Sequence, residues 1–131
     1  RLLQALDSRA GRGLNGARIL LIGMAYKKNI EDTRESPSLK LIQLMEARGG
    51  LVDYHDPLVP VIPTTRDHPE LAGRTSVGLH PERVAGYDAV LIATDHDDID
   101  WRGLVAAAQL VVDTRNVCAR HGVLGDNVVK A

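Results

Sequence analysis

The segment "ARILLIG", residues 17–23, decides the fold because it is a short, uninterrupted apolar run that ends at a glycine. Apolar runs of this length without alternation are typical of strands covered on both faces, as in parallel sheets. A charged loop follows, and then Ser36 and Pro37 supply an N-cap and a first-turn proline for a helix. The sequence therefore predicts a strand, a loop and a helix in that order.

The rest of the chain repeats this alternation of strands and helices. After Pro37, apolar residues recur at roughly helical spacing until two glycines end the helix: Leu39, Ile42, Leu44, Met45, Gly49 and Gly50. The remaining segments are predicted as strands at "LVDYHDP" (51–57), "TSVGL" (75–79), "DAVLIAT" (88–94) and "LVVDT" (110–114), as helical at "PERVAG" and "WRGLVAAAQ", and as a proline-rich loop at 57–73. This order predicts an α/β domain with a Rossmann-like, mostly parallel sheet and helices on both faces.

Composition limits the possible functions. The chain has 131 residues, of which 44% are apolar, so a single domain with one core is expected. Its net charge of −1 gives no general attraction to nucleic acid or to an anionic membrane. It contains no apolar run of the roughly 20 residues that a membrane helix needs, and no signal-peptide pattern. The single cysteine, Cys118, excludes an internal disulfide and fits a reducing compartment, so we expect a cytoplasmic protein.

The first residues have the pattern of a connection to another domain. Residues 1–15 read as the last turns of a helix followed by a glycine-rich connector. We therefore expect 1–15 to be the end of an interdomain helix and a linker, and 16–131 to be the domain itself. A start within a helix suggests a chain cut from a longer protein.

Charged residues follow the predicted strands at the positions where α/β sheets bind ligands. In open sheets of this kind, ligands lie outside the carboxyl ends of the strands. Lys27, Lys28 and Arg34 follow the first strand, and Arg115 follows the last predicted one. Four cations at one edge, beside the helix N-terminus at Ser36, would suit a phosphate-bearing ligand.

A solvated loop is the alternative interpretation of the same residues. Asp32 and Glu35 could simply neutralise Arg34 at the surface. The G-x-G-x-x-G fingerprint of a dinucleotide site is also missing, since only Gly23 follows the first strand. The pattern alone supports an anion-binding α/β domain, and a solvated loop stays open as the alternative interpretation.

The chain resembles the C-terminal domain of the nucleotide-diphosphate-sugar dehydrogenases, the family of UDP-glucose and GDP-mannose 6-dehydrogenases. The resemblance begins in "GARILLIGMAYKKNIEDTRESPSLKLIQLMEARGGLVDYHDP" and continues in "YDAVLIATDHDDID" and "LVVDTRN", covering roughly residues 16–118. The recurrent pattern is a strand ending in Gly, an aromatic residue and Lys, then Asp-x-Arg-Glu-Ser-Pro, then Asp-Pro. It corresponds to Gly23, Tyr26, Lys27, Asp32, Arg34, Glu35, Ser36, Pro37, Asp56 and Pro57.

The resemblance implies an NAD-dependent oxidation of the C6 alcohol of a nucleotide sugar to a carboxylate. Two hydrides pass in succession to two NAD molecules, and a Cys nucleophile forms the thiohemiacetal and thioester. That Cys belongs to the preceding part of the protein, so no catalytic residue is expected in this chain. An N-terminal domain would hold NAD, a central helical region would form a homodimer or a higher homo-oligomer, and this domain would close over the UDP-sugar.

The resemblance also implies roles for individual residues. Tyr26 and Lys27 would contact the sugar nucleotide, and Arg115 would contact its UDP portion. Arg34 would reach across the interdomain cleft to NAD, oriented by its acidic neighbours.

The substrate implied by the resemblance is a UDP-N-acetylhexosamine. The forms "AYKKN", "YHDPLVP" and "ATDHDDIDW" resemble the branch that oxidises UDP-N-acetylglucosamine in particular, whereas the UDP-glucose branch more often has Phe at the position of Tyr26. A free-standing nucleotide-binding or interaction module with the same fold and no catalysis is the alternative.

The remaining candidates are interpreted structurally. Cys118 is expected to be an inert thiol near the last strand, and Arg66 an exposed loop residue. The cluster Asp95, His96, Asp97 and Asp98 is predicted to cap the helix near Trp101 rather than to bind a metal. His55 is predicted to be packed or hydrogen-bonded near a turn.

Overall fold

A five-stranded parallel sheet organises the computed structural model of the chain, which describes residues 13–25, 36–66, 68–123 and 125–130. In chain order the strands are β1 (Arg18–Ile22), β2 (Leu51–His55), β3 (Ala89–Ile92), β4 (Val111–Asp113) and β5 (Val128–Lys130). The helices are α1 (Pro37–Ala47), α2 (Pro81–Ala85), α3 (Trp101–Ala107) and α4 (Val117–Arg120), with a 3-10 turn at Pro69–Leu71. The predicted Rossmann-like α/β fold is confirmed.

The two faces of the sheet carry separate apolar cores. Ile19 and Leu21 of β1 pack into the core that contains α1, whereas Leu20 and Ile22 pack into the core that contains α3 and α4. Consecutive strand residues point to opposite faces, so a strand that is buried on both sides must be continuously apolar. This requirement explains why the four buried residues of β1, 19–22, are all apolar, while Arg18 at its start is exposed.

The strand order determines where a ligand can bind. The order is β2-β1-β3-β4-β5, so the chain moves to one side from β1 to β2 and then crosses to the other side for β3. The direction reverses between β1 and β3, and a doubly wound sheet binds ligands outside the carboxyl ends of the strands at this point. The expected ligand-binding crevice therefore lies beyond Ile22 and Ile92.

Residues 75–79 do not form the predicted strand. Val77 donates one backbone hydrogen bond to the Tyr54 carbonyl at 2.9 Å, but the neighbouring hydrogen bonds between the two segments involve side chains. The Ser76 hydroxyl accepts from the Asp56 amide at 3.0 Å, and the His55 ring nitrogen Nδ1 bonds to the Val77 carbonyl at 2.7 Å. The segment therefore covers the edge of β2 without a regular ladder, and the predicted hydrogen-bonded role of His55 is confirmed.

Two short elements and one surface position differ from the prediction. β5 and α4 were not predicted, and Leu44, expected on the buried face of α1, is 50% exposed. β5 is placed by Asn127, whose side-chain amide donates to the carbonyls of Val105 and Ala108 at 2.9 Å each. None of the helices in the described ranges has the length and apolar character to cross a bilayer.

Candidate functional site

The carboxyl end of β1 packs directly against the carboxyl end of β3. Gly23 has a φ of +99°, and a Cβ atom there would lie 2.3 Å from the Cβ of Thr94. Both the backbone conformation and the lack of space require glycine at this position. The chain leaving β1 is therefore fixed against β3 at its first residue.

A buried carboxylate holds the next two residues. Oδ2 of Asp56 accepts hydrogen bonds from the amides of Met24 and Ala25 at 2.7 and 2.9 Å and from Nε2 of His96 at 2.8 Å. Its other oxygen accepts from the Leu58 amide at 2.8 Å. The side chains of Asp56 and His96 are both 0% exposed. A buried charge is tolerated only when it is hydrogen-bonded in this way.

Three hydroxyl groups hold the carbonyls of the same segment. Ser38 donates to the Gly23 carbonyl at 2.7 Å and Ser36 donates to the Met24 carbonyl at 2.8 Å. Thr94 donates to the Ala25 carbonyl at 3.0 Å. Ser36 is also the N-cap of α1, accepting from the Ser38 amide. Side chains that follow β2, that follow β3 and that begin α1 thus hold the backbone of residues 23–25.

Arg115 lies at the same edge of the sheet. Its Nε donates to the Ala93 carbonyl at 2.8 Å, and its backbone amide donates to Oδ1 of Asp113 at 3.0 Å. Ala93 directly precedes Thr94, which is bonded to Ala25. The exposed Arg115 is therefore connected through the end of β3 to the last described residue before Tyr26.

The residues of the acidic cluster after β3 contact different partners. Asp95 accepts a hydrogen bond from Arg120, while His96 is turned inward to Asp56. The predicted capping role of residues 95–98 is wrong, because Asp100 caps α3 by accepting from the Gly103 amide at 3.1 Å. Across the described ranges, no group of three His, Cys, Asp or Glu residues converges as a metal site would require.

Tyr26, Lys27, Lys28 and Arg34 lie outside the described residues, so of the predicted cations only Arg115 is placed by the structure. Sequence reasoning missed the Asp56–His96 pair, and with it the supporting roles of Ser36 and Thr94. Asp56 follows the end of β2 by one residue, and His96 follows the end of β3 by four. Both therefore belong to the loops at the carboxyl edge of the sheet, which we call the rim. What the sequence lacks is any sign that these two side chains turn inward and meet.

The turn after β1 does not fit a dinucleotide. In a dinucleotide-binding turn, backbone amides point at the pyrophosphate. Here the amides of Met24 and Ala25 donate to the carboxylate of Asp56 instead, and Thr94 occupies the space beside Gly23. An internal anion thus takes the place where NAD would put its phosphates, so the described residues form no NAD site at this turn.

Cys118 lies in α4 and is buried. Burial, together with the nearby negative charge of Asp113, raises the pKa of the thiol to about 12. A thiol with this pKa is almost entirely protonated near neutral pH, and the protonated form is a poor nucleophile. These properties agree with the interpretation of Cys118 as an inert thiol.

The described residues form two surface grooves that lie away from the carboxyl edge of the sheet. One, of about 520 Å³, runs beside α3 and contains Arg102 and Asp126; the other, of about 340 Å³, lies beside β2. The cation in the second groove, Arg74, is paired with both carboxylate oxygens of Glu46 at 2.7 and 2.9 Å. Neither groove lies at the point where the strand order reverses.

The family model described as "UDP-glucose/GDP-mannose dehydrogenase family, UDP binding domain" matches residues 20–120. The chain belongs to this family. Similar proteins include a UDP-N-acetyl-D-mannosamine dehydrogenase of Methanococcus maripaludis, 30% identical over 113 residues, which cover 80% of this chain and 24% of that protein. A UDP-glucose 6-dehydrogenase of Bacillus subtilis is 31% identical over 114 residues, with 79% and 24% covered.

Among solved structures, a UDP-D-ManNAc dehydrogenase from Pyrococcus horikoshii superimposes with a TM-score of 0.72 at 27% identity. The match covers 98% of this chain and 28% of that one. The chain thus spans about a quarter of the length of the relatives it matches.

Proposed function

We propose that this chain is the UDP-sugar-binding domain of an NAD-dependent nucleotide-sugar 6-dehydrogenase, which oxidises the C6 alcohol of its substrate to a carboxylate. The observation that carries the proposal is the position of Arg115, held by the Ala93 carbonyl at the carboxyl edge of the sheet. One residue further along the same strand end, Thr94 holds Ala25, so Arg115 and the last described residue before Tyr26 and Lys27 are bonded to adjacent residues.

The cations of this rim would bind the diphosphate. Arg115 offers a planar guanidinium that can make two parallel hydrogen bonds to phosphate oxygens, and Lys27 offers a compact positive charge. Tyr26 would contact the sugar nucleotide next to Lys27, and Arg34 would reach toward NAD in the neighbouring domain. The net charge of −1 means that attraction to the nucleotide must come from these local groups.

The chemistry would take place in the rest of the protein. NAD, when bound by an N-terminal domain, would act as the hydride acceptor, and the Cys nucleophile would lie in a part of the protein that precedes this chain. This chain would bind and orient the nucleotide and help to exclude water from the cleft. Reading the gene upstream of Arg1 tests the arrangement: a G-x-G-x-x-G segment and a Cys-bearing glycine-rich segment are expected, whereas a start codon close to Arg1 would favour a free-standing nucleotide-binding module.

UDP-N-acetylglucosamine is the proposed substrate. Support comes from the forms "AYKKN" and "ATDHDDIDW", which resemble the UDP-N-acetylhexosamine branch. The similar proteins include both UDP-N-acetyl-D-mannosamine and UDP-glucose dehydrogenases, so the sugar must be tested directly. The full-length protein should be titrated with UDP-N-acetylglucosamine, UDP-N-acetylmannosamine and UDP-glucose while NADH absorbance is followed.

The expected result of this titration is NADH formation with the highest kcat/KM for UDP-N-acetylglucosamine. Preference for UDP-N-acetylmannosamine or UDP-glucose would contradict the substrate and keep the reaction class. No NADH with any UDP-sugar would contradict the dehydrogenase proposal as a whole. We also propose that the full-length enzyme is cytoplasmic and that it forms a homodimer or a higher homo-oligomer. Light scattering of the purified protein would test the oligomeric state.

A further inference from the structure

We propose that Asp56 and His96 are positioning residues for nucleotide binding: together they fix the backbone of Met24 and Ala25 so that the residues that follow are presented to the UDP moiety. The inference rests on the proposed function, because it concerns how the same rim is held in its binding conformation. Neither side chain would touch the ligand, since both are 0% exposed.

Asp56 and His96, together with the backbone that they hold, join three strand ends. Asp56 follows β2, His96 follows β3, and Met24 and Ala25 follow β1. A single oxygen, Oδ2 of Asp56, accepts from all three donors at 2.7 to 2.9 Å. His96 thus links the β3 loop to the carboxylate that holds the β1 loop, and the relative position of the two loops depends on this pair.

The same β3 loop also holds Arg115. The Ala93 carbonyl accepts from Nε of Arg115, and the Thr94 hydroxyl donates to the Ala25 carbonyl. Residues 93–96 therefore set the distance between Arg115 and Ala25, which Tyr26 and Lys27 follow in the sequence. A diphosphate that is gripped from both sides requires this distance to be fixed before binding.

A buried carboxylate is a weak source of stability, because the cost of its desolvation offsets most of what its hydrogen bonds contribute. Apolar residues of similar volume would fill the space under the rim at equal or lower cost. An internal carboxylate is, however, a group that can orient two consecutive amides and an imidazole at once. The arrangement is therefore suited to fixing backbone geometry more than to adding stability.

The test compares two substitutions of His96 in the full-length protein. His96→Leu removes the donor to Asp56, and His96→Gln restores an N–H at about the reach of Nε2. UDP affinity is measured by calorimetry, and hydrogen exchange of the Met24 and Ala25 amides is measured in the same variants. Val111→Ala serves as the control for general destabilisation, because Val111 is fully buried at the start of β4 and takes part in none of the side-chain hydrogen bonds that hold Met24 and Ala25.

We expect His96→Leu to weaken UDP binding about tenfold, equivalent to one lost hydrogen bond in the rim, and to accelerate exchange of both amides. His96→Gln should recover most of the affinity and protection, and Val111→Ala should keep both. Loss of affinity without rescue by Gln, or equal loss in Val111→Ala, would show a merely structural role and overturn the inference.

The experiments distinguish failure of the positioning role from failure of the proposed function. If the unaltered protein binds UDP and Lys27→Ala weakens that binding, but His96→Leu does not, the positioning role is wrong and the proposed function stands. If the unaltered protein does not bind UDP, the proposed function is wrong and the positioning role falls with it.

Discussion

Asp56 places a carboxyl group in a completely buried position. Four hydrogen bonds reach its two oxygens, from three backbone amides and from His96. In a low-dielectric interior each such bond is strong, but each donor becomes costly if the carboxylate is removed. The effect of a substitution at this residue is therefore dominated by what is left unpaired.

Asp56→Ala should lower the free energy of unfolding by about 3 kcal/mol, because the buried amides of Met24 and Ala25 and the ring of His96 lose their acceptor. Denaturant unfolding followed by circular dichroism measures this loss. Asp98→Ala is the matched control: Asp98 is exposed, and its removal should change stability by less than about 0.5 kcal/mol. Equal effects of the two substitutions would contradict the account of Asp56.

Cys118 should make stability depend on alkaline pH. Its folded-state pKa is raised from 9.0 to about 12, mainly by burial, so the folded protein retains a proton that the unfolded chain releases. The resulting stabilisation is fully present below pH 9 and is lost as the pH rises from 9 toward 12.

The stability advantage of the wild type over Cys118→Ala should therefore be constant from pH 7 to pH 9. At pH 10.5 it should have shrunk by about 2 kcal/mol. Urea unfolding of both proteins across this range gives the difference, in which the contribution of Tyr54, whose pKa is also raised to about 12, cancels. A difference that stays constant up to pH 10.5 would contradict the raised pKa.

At the scale of elements, the contact between the ends of β1 and β3 determines the shape of the rim. The Ile22 carbonyl accepts from the amides of both Ala93 and Thr94, at 2.9 and 3.1 Å. Gly23 allows this approach because a Cβ atom would overlap Thr94. The strands can thus come together at the point where the loops for the ligand begin.

Gly23→Ala should lower the free energy of unfolding by more than the positive φ of this residue alone explains. Gly73 has a φ of +89° with open space around its Cβ position, so Gly73→Ala reports the backbone cost by itself, about 1 kcal/mol. Gly23→Ala adds the overlap with Thr94 and should cost about 3 kcal/mol or more. Thermal and denaturant unfolding of the two variants measures the difference, and similar losses would show that the ends of β1 and β3 are not in close contact.

The sequence predicts the elements that consist of apolar runs and misses those that depend on side-chain hydrogen bonds. β1, β3 and β4 lie within the predicted segments because each is continuously apolar or nearly so. β5 is three residues long and depends on Asn127 holding the end of α3, which no period reveals. Similarly, α4 begins where Asp113 accepts from the amides of Val117 and Cys118.

The candidate site is predictable from the sequence only in outline. The parallel order of strands implies that polar residues after each strand share an edge, and Arg115 is found there. That Asp56 and His96 face inward could not be inferred, because spacing along the chain does not give the direction of a side chain in a loop. The supporting groups of the rim therefore required the structure.

At the scale of the whole molecule, we propose that cations that follow separate strands act together on a diphosphate. Arg115 follows β4, and Lys27 lies in the segment that begins one residue after Ala25. Lys40 and Arg48 are suitable controls, because both are exposed cations carried by α1 and its C-cap and not by the loops of the rim.

Calorimetric titration of the full-length protein with UDP tests this claim most directly. Lys27→Ala and Arg115→Ala should each weaken UDP binding about tenfold, since each removes a charged contact to the diphosphate. Lys40→Ala and Arg48→Ala should leave the affinity unchanged. UDP binding that is unaffected by both Lys27→Ala and Arg115→Ala would contradict the claim that these cations form the nucleotide site.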